Sequence, residues 1–315
     1  MLEKSDADFE KLAELTYIAM KRNDLLTEDI TEEMVLNNIA ERISNDCYDL
    51  IFVAESNGKV VGWLAFYEIP VSKIAQIWNW HPVVFPNENE SKTANELIQE
   101  AFSHLRGMGL HKVTIDFQVN ESTRSCFSRY LGWYSQAGIT EIIEEKYYKK
   151  NIVEENYEIL IPDEYSLGCI SETDIDDLLE CWVGIFSSSN DQFVLSLDAE
   201  GRRGFFLDSW SREKPLIDEA SLTLYHKGKL IGFSRVLPIY ESTDGCLAPI
   251  GILPEYRRKG LAQELLKMSM LKLRELNYQT VSCFVSTSNL AAISFYEKLG
   301  FISKHKIASL FGEIV

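Results

Sequence analysis

Hydrophobic and polar residues follow two different periods along this chain. Apolar residues recur every three or four positions over Asp6–Arg22 and Thr31–Ser44, which predicts two amphipathic helices. Two strand-like runs, Leu50–Glu55 and Val60–Ile69, flank the turn sequence Ser56-Asn57-Gly58-Lys59, which predicts a β-hairpin. The first half therefore opens with helices and continues as an antiparallel sheet.

The same succession of elements is predicted twice. After the hairpin, the first half continues with a strand over Gln76–Val84, a helix over Thr93–Arg106, a strand over Val113–Val119 and a short helix that ends near Tyr130. The second half repeats the whole order, beginning with the two hairpin strands, over Ser221–Tyr225, Leu230–Ile239, Gly245–Ile252, Gly260–Leu276, Val281–Val285 and Leu290–Leu299. An antiparallel meander followed by a strand–helix–strand unit predicts an α/β fold with a mixed sheet in each half.

Short sequence matches support a duplication. The segment Asn57-Gly58-Lys59-Val60-Val61-Gly62-Trp63 matches Lys227-Gly228-Lys229-Leu230-Ile231-Gly232-Phe233, and Leu131-Gly132-Trp133 matches Leu299-Gly300-Phe301. The offset is about 170 residues, the size of a domain rather than of a solenoid repeat. We therefore predict two domains, residues 1–152 and 153–315, with the seam near the polar segment Lys149–Asn156.

Composition and charge narrow the class of protein. The chain has 315 residues, 46% of them hydrophobic, with 17 Gly and 8 Pro, which excludes long disorder and low-complexity fibres. The net charge of −17 argues against a nucleic-acid partner, because phosphate binding needs clustered Lys and Arg. This acidity, which both halves share, serves solubility or attracts a cationic substrate.

Membrane, secretory and metal signals are weak in the sequence. No apolar stretch reaches about 18 residues, and Met1–Asp8 is acidic and polar, unlike a secretory signal. We therefore expect a cytoplasmic protein with no membrane partner. The six cysteines and five histidines do not cluster, and no cysteine pair has CxxC spacing, so we expect no metal site.

The most informative segment lies between a predicted strand and a predicted helix. The strand ends at Ile252, and three consecutive cations, Arg257-Arg258-Lys259, follow in an otherwise acidic chain. Gly260 lets a ligand approach the backbone, and the helix that begins there offers free N–H groups and a positive dipole end to an anion such as pyrophosphate. The alternative is a solvated basic loop before an ordinary helix.

Two motifs resemble one known superfamily. Arg257-x-x-Gly260-x-Ala262, after Ile252-x-Pro254, resembles the acyl-CoA pyrophosphate loop of the GNAT superfamily of N-acetyltransferases. The segment Ser288–Phe301 resembles its second signature, Asn…FYxKxGF. The motifs lie within residues 246–301, and the duplication extends the resemblance along the chain. It implies two tandem GNAT-like acyl-CoA N-acyltransferase domains, a layout shared with mycothiol synthase, and acetyl-CoA as co-substrate.

The resemblance also implies a role for each site residue. The thioester of acetyl-CoA would lie along Gly245–Ile252, in which Pro249 indicates a bulge or an irregular edge. The residues implied in binding acetyl-CoA are Ile250, Ile252, Arg257, Arg258, Lys259, Gly260, Leu261, Ala262 and Asn289. Asn289 contacts the pantetheine or caps the next helix. Tyr296 would donate a proton to the departing thiolate, the alternative being a packing residue.

The base that deprotonates the amine is not identified by the sequence. Glu241, Asp244 and Asp191 are candidates, but each is expected to be a solvated loop carboxylate. A proton relayed by water would need none of them.

The first half is expected to lack the chemistry of the second. Asn89-Glu90-Ser91-Lys92-Thr93-Ala94 replaces Arg257–Ala262, and Ser128 takes the position of Tyr296. Glu90 would repel a pyrophosphate. We therefore expect residues 1 to about 150 to have a structural or substrate-shaping role, with Trp78, Trp80 and His81 near a degenerate pocket.

The reaction implied is direct acetyl transfer to a primary amine, with no covalent enzyme intermediate. The acceptor is expected to be a small molecule, and the acidity of the chain favours a cationic one. A non-catalytic protein that binds or senses acyl-CoA, and an enzyme that acetylates proteins, stay open as alternatives. The oligomeric state cannot be derived from the sequence.

Overall fold

The computed structural model describes residues 8–26, 30–44, 50–69, 73–211, 215–239 and 242–314. It divides into two compact units. The first unit consists of Met1–Ile143 and Lys306–Val315, and the second unit consists of Glu144–His305. The last ten residues thus belong to the first unit. The predicted domain ranges, 1–152 and 153–315, stay a prediction about the duplication in the sequence.

The first unit is an α/β sheet with helices on both faces. Its elements are α1 (Phe9–Arg22), α2 (Glu32–Ser44), β1 (Leu50–Ser56), β2 (Lys59–Ile69), β3 (Ile74–Ile77), β4 (Val83–Val84), α3 (Glu90–Gly107), β5 (Lys112–Val119) and α4 (Arg124–Gln136). The strand order is β1–β2–β3–β5, and β4 pairs with β2. Residues 306–313 of the last strand of the chain, Ile302–Glu313, add an antiparallel neighbour to β5. The predicted strand Gln76–Val84 is interrupted at residues 78–82.

Two apolar cores form on the two faces of this sheet. Helices α1 and α2 cover one face, where Leu12, Leu15 and Ile39 pack around Trp63 of β2. Helices α3 and α4 cover the other face, on which Phe102 and Trp133 belong to a larger cluster. Burying both faces gives the unit a core of its own.

The second unit repeats this plan. Its elements are β6 (Glu141–Asn151), β7 (Tyr165–Cys169), α5 (Ile175–Phe186), α6 (Gln192–Ser196), α7 (Ala199–Ser209), β8 (Leu222–His226), β9 (Lys229–Pro238), β10 (Asp244–Ile252), α8 (Leu261–Glu275), β11 (Thr280–Ser286), α9 (Leu290–Lys298) and β12 (Ile302–Glu313), of which β6 and β12 extend into the first unit. The strand order is β7–β8–β9–β10–β11–β6, and only the β10–β11 pair is parallel. Helices α5 and α7 supply residues to one core and α9 to another, whereas α8 contributes to both.

Both predicted hairpins are confirmed, and their glycines explain the sequence repeat. Asn57 and Gly58 have φ values of 52° and 72°, and Lys227 and Gly228 have 51° and 80°, as the two positions of a type I′ turn require. The later glycine of each repeat is needed for close packing. A Cβ atom on Gly232 would lie 2.7 Å from the carbonyl oxygen of Gly251. No helix among the described residues is long and apolar enough to cross a membrane.

Candidate active site

The central feature of the second unit is the point at which β10 and β11 part. Their parallel ladder runs from Asp244–Thr280 to Leu247–Cys283 and stops there, although β10 continues to Ile252 and β11 to Ser286. On its other edge, β10 shifts register against β9 between Leu247 and Ile250. Pro249 lies in this shift, so the predicted bulge is confirmed. The diverging strand ends form what we call the β10–β11 gap, which includes Ile250 and Ile252.

The helix α8 begins at the end of β10 with an exposed backbone. Gly260 is the N-cap residue, with φ 79°, and no atom lies within 4 Å of the position that a Cβ would take. The N–H groups of Leu261 and Ala262 belong to the first turn and have no partner inside the helix. The side chains of Arg258 and Lys259 are exposed beside this turn. Free N–H groups, a helix dipole and two cations together suit a phosphate-bearing ligand.

The third cation of the loop is used differently. The Arg257 guanidinium donates through Nε to the Ile252 carbonyl at 2.9 Å, and through Nη2 to the Ile185 carbonyl at 2.9 Å and the Ser188 hydroxyl at 3.0 Å. Partial burial lowers the pKa of Arg257. In this structure Arg257 braces the loop against β10 and α5, and its contact with a cofactor stays a prediction.

Tyr296 lies beside the last β11 residue that pairs with β10, where the two strands part. It is 7% exposed, packs against Phe301 with ring centroids 5.1 Å apart, and places its hydroxyl beside the Cys283 thiol. Cys283 is the last β11 residue in the ladder with β10. Burial raises the pKa of the phenol well above its usual value, so Tyr296 is protonated at neutral pH and holds a proton that it can donate. The side chain is therefore both a packing residue and a candidate proton donor.

Asn289 has the capping role that was one of its two predicted roles. Its Oδ1 accepts from the backbone N–H of Ala292 at 3.1 Å, at the first turn of α9. A contact between Asn289 and pantetheine stays a prediction.

The candidate bases differ from expectation where the structure describes them. Asp244 is 2% exposed rather than solvated, and its Oδ2 accepts from the Tyr147 hydroxyl at 3.2 Å and lies 3.0 Å from Lys149 Nζ. Asp191 is partly buried and caps α6 by accepting from Val194 N at 3.0 Å. Burial raises the pKa of this carboxyl. Glu241 lies outside the described residues.

In the first unit, an aromatic side chain packs beside the point at which the corresponding strands part. The ladder of β3 with β5 also stops early, at Ile77–Ile115. The indole of Trp80 packs against Phe117 and Tyr130, with ring centroids 5.1 and 5.6 Å apart. The Tyr130 hydroxyl donates to the Trp80 carbonyl at 2.7 Å and to the Pro82 carbonyl at 3.1 Å. Trp80 thus packs on β5 at Phe117, two residues beyond the end of this ladder.

The anion position of the first unit is filled by its own carboxylate. Glu90 opens α3, and its Oε2 lies 2.9 Å from Arg22 Nη1 while its Oε1 lies 2.8 Å from Arg129 Nη1. The Glu90 side chain is only 13% exposed. The N-cap residue, Asn89, has φ −97° rather than the left-handed conformation of Gly260. The helix start that would hold a pyrophosphate is therefore closed by an internal ion-pair cluster.

A cavity lies beside the sheet in each unit. The cavity of the first unit measures about 390 Å³ and includes Trp78, Trp80 and His81 in its wall, as predicted for a degenerate pocket. The cavity of the second unit measures about 280 Å³ and is lined in part by Trp210 and Arg235. Sequence reasoning missed Arg235. The signal was present, because Arg235 falls on the same strand face as Ile231 and Phe233, where an apolar residue is expected.

Comparison with known proteins identifies the family. The Acetyltransferase (GNAT) family matches residues 14–133 and 182–301, one match in each half. The chain therefore belongs to the GNAT acetyltransferase family and contains two tandem GNAT domains. It is 43% identical over 72 residues to an N-alpha-acetyltransferase of Saccharolobus solfataricus, over 22% of this chain and 43% of that protein. It is 25% identical over 146 residues to a mycothiol acetyltransferase of Propionibacterium freudenreichii, over 45% and 44%.

Solved structures show the same fold. A GCN5-related N-acetyltransferase from Sphaerobacter thermophilus aligns with a TM-score of 0.64 at 15% identity, over 99% of this chain and 94% of that one. A tandem GNAT protein from the clavulanic acid biosynthesis pathway aligns with a TM-score of 0.57 at 15% identity, over 100% and 97%. The chain spans less than half the length of the curated relatives it matches. The family model establishes the family, and the solved structures establish the fold alone.

Proposed function

We propose that the second unit transfers an acetyl group from acetyl-CoA directly to the primary amine of a small molecule. The observation that carries this proposal is the parting of β10 from β11 immediately before a helix that starts at a left-handed glycine. Acetyl-CoA has a pantetheine arm, which can hydrogen-bond to the free edge of a strand, and a pyrophosphate, which can bind at a helix start. It therefore needs the parted strands and the start of α8 side by side. The first unit differs at both places, because Trp80 packs on β5 beyond the β3–β5 ladder and Glu90 occupies the start of α3.

The donor would lie along the β10–β11 gap. Its pyrophosphate would accept from the N–H groups of Leu261 and Ala262, with Arg258 and Lys259 supplying positive charge. Its pantetheine would follow the edge of β10 past Ile252 and Ile250, and its thioester would end near Cys283. This path brings the sulfur towards the buried hydroxyl of Tyr296.

The acetyl group would pass directly from coenzyme A to the amine, without an acetylated enzyme. The uncharged amine attacks the thioester carbonyl, a new C–N bond forms, and the C–S bond breaks to release the thiolate of coenzyme A. The protonated phenol of Tyr296 would donate to that thiolate, and the proton that the new amide nitrogen loses would return to the phenolate through water. The acceptor's ammonium must first lose a proton, which water in the gap can accept without any side chain.

The proposal is tested by acetyl-CoA titration of three full-length proteins. Gly260→Asn and Gly260→Asp form a matched pair, because Asn and Asp tolerate the left-handed conformation about equally but differ in charge. A carboxylate beside phosphates costs several kcal/mol at protein-surface dielectric, so we expect Asp to bind at least about 100-fold more weakly than Asn. The wild type is expected to bind one molecule per chain. Equal affinities of the two variants, or tight binding left in Gly260→Asp, would contradict the site.

The same samples distinguish an enzyme from an acyl-CoA sensor. Thiol release from acetyl-CoA is measured with a panel of small amines and with peptides. Release that depends on a small amine supports the proposal, and release that depends only on peptides would indicate a protein acetyltransferase. Tight acetyl-CoA binding without acceptor-dependent release would make the protein a binding or sensing protein.

A further inference from the structure

Arg235 is a buried cation on the face of the sheet opposite α8. The hydroxyl of its neighbour, Ser234, contacts the hydroxyl of Ser269 in α8 at 2.9 Å, so Ser234 faces that helix. Successive strand residues point to opposite faces, and Arg235 therefore points towards the side covered by α5 and α7. Only 5% of Arg235 is exposed. A guanidinium this deeply buried is unusual unless an anion or a ligand compensates its charge.

The partners of this guanidinium are all uncharged. Nη1 donates to the Ala248 carbonyl at 3.1 Å, and Nη2 donates to the Ser209 carbonyl at 2.6 Å. The guanidinium carbon lies 4.9 Å from the Trp210 ring. No carboxylate of the described residues forms an ion pair with Arg235. Burial lowers its pKa to about 10, which still leaves the group charged at neutral pH.

A small cavity adjoins Arg235. It measures about 280 Å³, slightly below the range of about 300–1,000 Å³ that is typical for drug-sized ligands. Its wall is largely apolar, and its other polar lining residues are Ser171, Ser211 and the exposed Asp218. A cavity of this size, with one buried guanidinium in its wall, suits a small molecule that carries one planar anion.

A hydrogen bond of Arg235 connects the wall of this cavity to the strand that borders the proposed reaction point. Ala248, which accepts from Arg235, directly follows Leu247, the last β10 residue in the ladder with β11. A carboxylate held by Arg235 would therefore place the rest of a short molecule at the mouth of the β10–β11 gap.

We propose that Arg235 binds the carboxylate of the acceptor, so that the acceptor is a small amino acid rather than a simple amine. This inference rests on the proposed acetyl transfer and specifies its substrate class. The carboxylate takes no part in the bond changes. The amine nitrogen gains the acetyl carbon and loses one proton, the C–S bond breaks, and the thiolate receives a proton from Tyr296, which the proton from the nitrogen replaces. Although the chain has a net negative charge, it would recognise its acceptor through the buried positive charge of Arg235, which binds the carboxylate, and not through its acidic surface.

The test compares each amino acid with its decarboxylated amine. The two molecules share the side chain and the primary amine and differ in the carboxylate. A hydrogen-bonded charge pair of this kind predicts that the wild type has a kcat/KM about 10- to 100-fold higher for the amino acid, measured by thiol release. In Arg235→Gln this preference should disappear, because only the amino acid loses an interaction. Arg235→Lys should restore part of the preference, since it keeps the charge without the planar fork.

A second arginine provides the matched control. Arg202 in α7 also donates to backbone carbonyls, those of Val194 and Leu197, but is not among the residues that line the cavity. Arg202→Gln should retain the full preference for amino acids. A loss of activity in Arg235→Gln that is equal for both members of each pair would assign Arg235 a structural role and overturn the inference.

The two proposals fail in different ways. If the wild type acetylates decarboxylated amines as fast as the matching amino acids, the inference about Arg235 is wrong while acetyl transfer stands. If no small amine of either kind is acetylated, the proposed function itself is wrong. The wild-type comparison does not depend on the folding of any variant.

Discussion

Mutations of two adjacent cations in the loop before α8 should affect different properties: the stability of the loop for Arg257 and the affinity for acetyl-CoA for Arg258. Arg257 is fastened by three hydrogen bonds, to the carbonyls of Ile252 and Ile185 and to the Ser188 hydroxyl. Arg258 has φ 63° and an exposed side chain beside the start of α8. The residues have the same chemistry and are neighbours in the chain, so Arg257→Ala and Arg258→Ala are matched perturbations.

The expected magnitudes follow from these contacts. A hydrogen bond with a charged donor is worth about 1.5–3 kcal/mol, and water replaces much of that at a partly exposed side chain such as Arg257. We therefore expect Arg257→Ala to destabilise the loop by about 2 kcal/mol in total. Arg258→Ala should leave loop stability unchanged and weaken acetyl-CoA binding by about 1–3 kcal/mol, the value of one charge-assisted contact.

The assay is hydrogen exchange of the amides in residues 253–262, read by mass spectrometry beside an acetyl-CoA titration. A loss of about 2 kcal/mol corresponds to exchange about 30-fold faster in Arg257→Ala. Exchange in Arg258→Ala should match the wild type. The reasoning fails if Arg257→Ala leaves exchange unchanged, or if Arg258→Ala accelerates exchange while its affinity for acetyl-CoA stays at the wild-type level.

Two further predictions concern Tyr296 and Glu90. Tyr296→Phe keeps the ring and removes the donor, so we expect turnover to fall about 100-fold with little change in acetyl-CoA affinity; an unchanged turnover number with chemistry rate-limiting would leave Tyr296 as a packing residue only. Glu90→Gln leaves Arg22 and Arg129 without their shared anion and should lower the stability of the first unit by about 1–2 kcal/mol, seen as faster exchange at the start of α3, without creating a second acetyl-CoA site. Acetyl-CoA binding at a stoichiometry of two in Glu90→Gln would contradict the second expectation.

The elements that could be predicted from the sequence are those with a local physical cause. The turns at Asn57-Gly58 and Lys227-Gly228 need two residues that tolerate positive φ, and the structure has both turns. The start of α8 needs a residue that leaves the backbone open, and Gly260 provides it. In each case the cause lies within a few residues, so the sequence pattern suffices.

The strands that escaped prediction depend on partners far away in the chain. Glu141–Asn151 contains six charged residues in eleven and shows no clear alternation, yet it forms β6 because β11 offers a strand edge more than 100 residues later. Ile302–Glu313 likewise pairs, over residues 306–313, with β5, which lies more than 180 residues earlier in the chain. Pairing between distant segments decides these strands, and local propensity does not report it.

The direction in which a side chain points is the second feature that could not be predicted from the sequence. Arg257, Arg258 and Lys259 form one basic run in the sequence, but the carbonyls that accept from Arg257 belong to Ile252 and Ile185, the latter in another helix. Asp244 was expected in solvent because it precedes a strand, and it is buried because Tyr147 and Lys149 of β6 surround it. A strand whose existence was not predicted could not be used to predict the burial of its neighbour.

The first unit has the fold of the second but differs from it at the two places where we propose that the second unit binds acetyl-CoA. Its sheet and helices repeat those of the second unit, and the start of α3 still attracts an anion, as any helix N-terminus does. The anion is now Glu90, and the cations that hold it come from α1 and α4 rather than from the loop. The sequence alone predicts that the Glu90 carboxylate repels a phosphate. The ion pairs show that Arg22 and Arg129 already compensate the charge of this carboxylate. Removing Glu90 would therefore leave two arginines at this position, but Trp80 would still pack on β5 beside the point where the strands part. Binding would require both changes together, which is why we expect no single substitution to restore a donor site in this unit.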